Sequence, residues 1–133
     1  MRAEGVHATL AFLGELSPTA LPQLETLAAA LPRTTFELVL ERACYWAHNR
    51  IVWAGTSNTP APLAARAEAL RAGLAAAALP CDPQPFVAHV TLIRDARGLP
   101  STPRFESITW PVRGFVLVHS QAGRYRVIGR WES

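Results

Sequence analysis

Lysine is absent from this 133-residue sequence: all 13 positions counted as lysine plus arginine are arginine. Every cationic contact other than histidine is therefore a planar guanidinium, which grips phosphate in a bidentate way better than an ammonium does. The same bias accompanies abundant alanine and proline, as GC-rich coding produces, so by itself it assigns no ligand. Cysteine is scarce too. Cys44 and Cys81 are too few for a disulfide framework and lack metal-ligand spacing, which points to a reduced, cytoplasmic setting. No apolar run reaches the length of a membrane-spanning helix, and the start, MRAEGVHATL, lacks the charged-then-apolar build of a secretion signal. Charged residues make up only 17% of the chain against 50% hydrophobic ones, the balance of a globular protein with a real core. A net charge of +3 permits a nucleic-acid ligand without demanding one. No low-complexity linker divides the chain, so residues 1–133 are expected to form one domain.

What is present reads as alternating strands and helices. Val6 to Leu13 alternates in the manner of a strand, with His7, Thr9 and Ala11 on one face. Ser17-Pro18 opens a helix as cap and first-turn proline, Leu21, Leu24, Leu27 and Leu31 continue it at helical spacing, and Pro32 closes it. Phe36, Leu38 and Leu40 alternate within TTFELVLERA as a half-buried strand, with RIVWAGT as its partner and YWAHN as the connection. A long alanine-rich helix follows, about Leu63 to Leu79, whose arginines and Glu68 mark a solvent face. FVAHVTLIR is the next strand, DARGLPSTPRF a polar loop, and two closing strands run from about Val112 to His119 and Arg124 to Trp131. The residues QAG between them suit a hairpin turn. The order predicts an α+β fold made of two related lobes, each holding one strand that bears the same short motif.

That motif is His-x-Thr-Leu. It occurs as His7-Ala-Thr9-Leu in VHATLAFLG and again as His89-Val-Thr91-Leu in AHVTLIRD. Positions i and i+2 of a strand point the same way, so each copy presents an imidazole beside a hydroxyl on one face. Two such strands side by side would gather two imidazoles and two hydroxyls around one cleft. This set suits phosphodiester hydrolysis without a metal. One neutral imidazole takes a proton from the attacking water, and the other, protonated, gives one to the leaving oxygen. The hydroxyls hydrogen-bond the phosphoryl oxygens as charge builds, and histidine serves both proton transfers because its ordinary pKa lies near neutrality. A lone strand histidine is more often a satisfied structural residue; the matched context of the two copies reverses that weighting. His48 and His119 lack such a context and read as a loop residue and a strand-end residue. No histidine pair has close metal spacing, and no carboxylate accompanies either motif histidine.

On these residues the chain resembles the 2H phosphoesterase superfamily, whose hallmark is two His-x-Ser/Thr motifs. Within it the chain is similar to the LigT-type RNA 2′,3′-cyclic phosphodiesterases, also known as the 2′-5′ RNA ligase family. HATLAFLGEL resembles the first family motif, RIVWAG the strand before the long helix, PFVAHVTLIRDAR the second motif, and YRVIGRW the closing strand. The resemblance implies a bilobal α+β fold of two antiparallel sheets related by a pseudo-two-fold axis, with flanking helices and a central cleft. It implies hydrolysis of an RNA 2′,3′-cyclic phosphate end to a 2′-phosphate, with no metal or other cofactor. It makes His7 and His89 the catalytic pair, with Thr9, Thr91 and Arg94 on the phosphate; our own assignment, which the resemblance leaves open, takes His7 as proton donor and His89 as proton acceptor. Strict alternation sends Arg94 away from His89, so it can serve only if the strand ends or bulges near Ile93. Phe12, Trp53 and Phe86 are candidates to stack a base, with core packing as the plainer reading of each.

The chain departs from the family in one respect. Relatives carry a strand and a helix before the first motif, whereas here the motif begins at His7. The resemblance therefore implies an N-terminally shortened domain, and self-association across the place of that strand is an expected partner interaction. Two other functions stay open on sequence: an RNA- or nucleotide-binding module with little turnover, and another 2H activity such as 2′-5′ RNA ligation.

Overall fold

The computed structural model describes residues 7–98 and 106–132. The expected strand start at Val6 and the 99–105 portion of the polar loop lie outside the described residues. The chain divides into two compact units, each assembled from separated stretches. The first comprises the described parts of Met1–Leu10, Glu37–Thr59 and Val87–Pro111. The second comprises the described parts of Ala11–Phe36, Pro60–Phe86 and Val112–Ser133.

The first unit is built on strands. β1 (Phe36–Leu40) pairs with β5 (Ile108–Val112), and β2 (Arg42–Trp46), β3 (Ile51–Gly55) and β4 (His89–Ile93) form a three-stranded sheet in that order. β2 pairs antiparallel with β3, and β3 antiparallel with β4. A single antiparallel bridge from Ala8 to Val90 extends this sheet beyond β4. Burial follows the two-residue period of a strand. Val52 and Ala54 of β3 and Val90 of β4 are 3–5% exposed and face the core, together with Leu38, Leu40 and Ala88. Their neighbours Ile51, Trp53, His89 and Thr91 are only half-buried on the opposite face.

The second unit is built on helices. Ser17 opens a 3-10 turn (Pro18–Ala20) by accepting from the Thr19 amide, and α1 (Leu21–Ala29) follows directly. α2 (Ala61–Ala76) packs on α1, with Leu24, Leu31, Leu63, Ala67 and Leu74 in the core. Gly73 lets Leu27 approach closely, since a Cβ there would meet Leu27 Cδ1 at 2.9 Å. β6 (Gly114–Gln121) and β7 (Arg124–Glu132) form an antiparallel ribbon. Ala122 and Gly123 make its turn with φ of 53° and 76°, the left-handed pair that a two-residue hairpin of matching twist requires.

The α+β class and the two helices follow expectation, while four local expectations are corrected. Tyr45 and Trp46, expected in a connection, belong to β2, and the hairpin partner of β3 is β2 rather than the strand containing Phe36. Ile108–Val112 forms a strand where none was expected, with Pro111 near its end. The expected strand across residues 7–13 is reduced to the one bridge at Ala8. Arg66, assigned by its charge to a solvent face, is 1% exposed. Its Nε donates to the Pro32 carbonyl at 2.9 Å and its Nη2 to the Thr34 carbonyl at 3.1 Å, while the Phe36 and Phe115 rings lie 5.4 and 4.9 Å from the guanidinium carbon. Burial lowers its pKa, yet a guanidinium with two carbonyl acceptors and two ring faces keeps its proton.

Candidate active site

The two motif copies meet in the first unit. Ala8 and Val90 are an antiparallel pair, so the residues beside them fall opposite one another. His7 comes across from Thr91, and Thr9 across from His89. Successive side chains alternate between faces. Val90 is 5% exposed on the core face, so His7, Thr9, His89 and Thr91 share the other. The antiparallel arrangement sets the two imidazoles on a diagonal and the two hydroxyls on the crossing diagonal. His7 is exposed, while Thr9, His89 and Thr91 are half-buried.

β3 supplies the other flank. Trp53 pairs with Thr91, and Gly55 with His89. The Trp53 ring folds back across Gly55, where a Cβ would meet the indole Cζ3 at 2.4 Å, so glycine makes room for an indole beside the histidine. β2 adds Trp46. Its ring centroid lies 4.5 Å from that of Trp53 and 4.8 Å from that of His89, meeting the imidazole edge-on. His48, in the turn after β2, stands 6.1 Å from Trp46 between ring centroids. Sequence reasoning missed Trp46 because a chain segment ending in His-Asn reads as a connection. The alternation of Trp46 with Cys44 was the available signal.

The His89 ring is oriented by its own strand. Nδ1 lies 2.8 Å from the Val87 carbonyl, an acceptor, so Nδ1 carries the proton and donates. In the neutral ring the lone pair then resides on Nε2, the nitrogen suited to accept a proton.

Arg94 depends on an irregularity. The register between β3 and β4 shifts at Val52/Trp53: Trp53 opposes Thr91, but Val52 opposes Ile93, leaving Leu92 as an extra residue. The extra residue reverses the alternation. Ile93 pairs with Val52 yet is 48% exposed, and β4 ends there, with Arg94 in a bend. Alternation counted through the extra residue would return Arg94 to the side of His89 and Thr91, the arrangement that the sequence condition asks for.

The remaining candidates are divided. Trp53 lies on the site face, half-buried, and touches Trp46 and His89. Phe12 and Phe86 belong to the second unit. Phe12 is 66% exposed, which corrects its reading as a core residue, and its carbonyl accepts from the Asp82 amide. Phe86 is half-buried. Among the described residues no three His, Cys, Asp or Glu side chains gather to hold a metal.

Residues 1–53 match the family described as LigT like Phosphoesterase. The crystal structure of Escherichia coli LigT complexed with 3′-AMP superimposes with a TM-score of 0.87 at 33% identity, covering 98% of this chain and 78% of that one. This chain belongs to the LigT-like phosphoesterase family. Two curated relatives of the LigT-like chain are named RNA 2′,3′-cyclic phosphodiesterase. The Escherichia coli (strain K12) protein is 36% identical over 113 residues, 85% of this chain, and the Thermus thermophilus protein is 33% identical over 127 residues, 87% of it. The LigT-like chain spans 60% and 64% of the length of these two relatives. Among the described residues no helix is long and apolar enough to cross a membrane.

Proposed function

We propose that this chain hydrolyses 2′,3′-cyclic phosphate ends of RNA to 2′-phosphates, without a metal, by acid-base catalysis between two histidines. His89 acts as base toward water and His7 as acid toward the departing 3′-oxygen. Thr9, Thr91 and Arg94 hold the phosphoryl oxygens as negative charge builds on them. The observation that carries this reading is the Ala8–Val90 antiparallel bridge, which pairs the residues lying between histidine and threonine in the two motifs. The Nδ1 contact of His89 supports its role as base, because it leaves the lone pair on Nε2. The names of the curated relatives support the substrate class. The half-buried indoles of Trp46 and Trp53 beside His89 support stacking of the terminal base.

An oligoribonucleotide with a 2′,3′-cyclic phosphate end tests this reading when incubated with the protein in the presence of a chelator. The expected product is a 2′-phosphate formed at an undiminished rate. A 3′-phosphate product, loss of turnover on chelation, or binding without turnover would each overturn it. Self-association across the place of the N-terminal strand belongs to the same reading. Sedimentation velocity is expected to give a dimer; a monomer at all concentrations would remove this part of the reading.

A further inference from the structure

Strand register would bring Arg94 to the site face but does not hold it there, because β4 ends at Ile93 and Arg94 lies in a bend. What holds the chain is the segment just after it. The Ala96 amide donates to the Arg50 carbonyl at 2.9 Å, and the Tyr45 hydroxyl donates to the Ala96 carbonyl at 3.0 Å. Arg50 Nη2 donates to Asp95 Oδ1 at 3.2 Å. Ala96 is 9% exposed, so both its backbone groups are paired where water has little access.

Both sides of this joint are in the left-handed region, Arg50 at φ 55° and Asp95 at φ 56°. Non-glycine residues stay in that conformation where surrounding contacts over-determine it. The three contacts are not equal. The Arg50 and Asp95 side chains are 61% and 83% exposed, and an ion pair so open to solvent holds weakly. The Tyr45 bond is part-buried and spans 51 residues of chain. Tyr45 pairs with core-facing Val52, on the face opposite Trp46 and His89. It acts at the site only through Ala96.

We infer that Tyr45, backed by the Arg50–Asp95 pair, is a positioning residue for Arg94: it fixes the chain after the bulge so that the guanidinium is delivered beside His89 and Thr91. The inference rests on the proposed phosphate role of Arg94 and adds the part that sets its direction.

Tyr45→Phe removes the hydroxyl and keeps the ring. With a 2′,3′-cyclic mononucleotide, the expected loss in kcat/KM is about fivefold, the worth of one such hydrogen bond. The shape of the pH–rate profile is expected to stay the same, since both histidines are intact. In an Arg94→Ala background the same substitution is expected to cost nothing further. An equal loss with and without Arg94, or no loss in either, would overturn the inference. Arg50→Ala serves as the second variant, with a smaller loss that also vanishes without Arg94. If the parent chain shows no turnover, the functional reading fails separately, and affinity for inorganic phosphate by NMR titration becomes the readout. Tyr45→Phe is then expected to weaken phosphate binding only when Arg94 is present; equal weakening in both backgrounds would overturn the joint.

Discussion

The same four letters, His-x-Thr-Leu, fold differently at their two occurrences. The copy at His89 lies in β4, paired on one side with β3 and on the other with Ala8. Its imidazole is tied to the Val87 carbonyl and flanked by two indoles. The copy at His7 joins the sheet through one bridge, and its histidine is exposed. Pattern therefore indicates which groups arrive at the site, and strand context sets the surroundings of each. On the proposed reading, the imidazole with Nδ1 on the Val87 carbonyl suits the base, because its lone pair is directed from Nε2. The solvent-exposed imidazole suits an acid that exchanges its proton with solvent between turnovers.

The largest effects should come from breaking either copy. His89→Ala and His7→Ala are each expected to lower kcat/KM by roughly a hundredfold to ten-thousandfold, the usual span for a lost general acid or base. The two should differ in pH dependence. On the proposed mechanism, loss of the base removes the acidic limb of the bell, because no group remains whose deprotonation raises the rate. Loss of the acid removes the alkaline limb. Steady-state kinetics across pH checks both.

Next in size are changes to the flank of the anchored copy. Trp46→Ala is expected to raise KM for a cyclic nucleotide roughly tenfold, as expected for losing one stacking surface, with a smaller change in kcat. Gly55→Ala pushes a methyl group into the Trp53 indole. It should cost about 1–3 kcal/mol of stability, seen by denaturant titration, and shift the tryptophan fluorescence as the ring moves.

The smallest effect concerns the far end of β3. The Glu41 carboxylate accepts from the Ser57 hydroxyl and amide, and these bonds, the hydroxyl first, hold its pKa below the ordinary 4.5. A lowered carboxylate stabilises the fold above its unfolded-state pKa, and the gain disappears as pH falls through the lower folded value. Glu41→Gln is therefore expected to melt slightly earlier than the parent at neutral pH. The difference should close below pH 4.5 in thermal melts.

Most of the candidate site was legible because its chemistry sits in a repeated local pattern. The repeat singled out His7, Thr9, His89 and Thr91, although bringing the two copies side by side depends on the Ala8–Val90 bridge, and the helices announced themselves through Ser17, Pro18 and leucine spacing. What sequence did not reveal depends on partners distant in the chain. Trp46 joins the site because β2 pairs with β3 and not because of its neighbours in sequence. Arg66 is buried because two carbonyls and two phenyl rings converge on it from other elements. The bulge at Leu92 could be posed as a condition for Arg94, but only the Val52–Ile93 pairing resolves it.

The central claim is that His7 and His89 act as one acid-base unit. The most direct test is kcat/KM for a 2′,3′-cyclic mononucleotide in the parent, His7→Ala, His89→Ala and the double variant. Groups that act as a unit are strongly non-additive, so the double variant is expected to be scarcely slower than the worse single one. Losses that multiply in full, or a single variant that retains the parent's rate and complete bell-shaped profile, would contradict it.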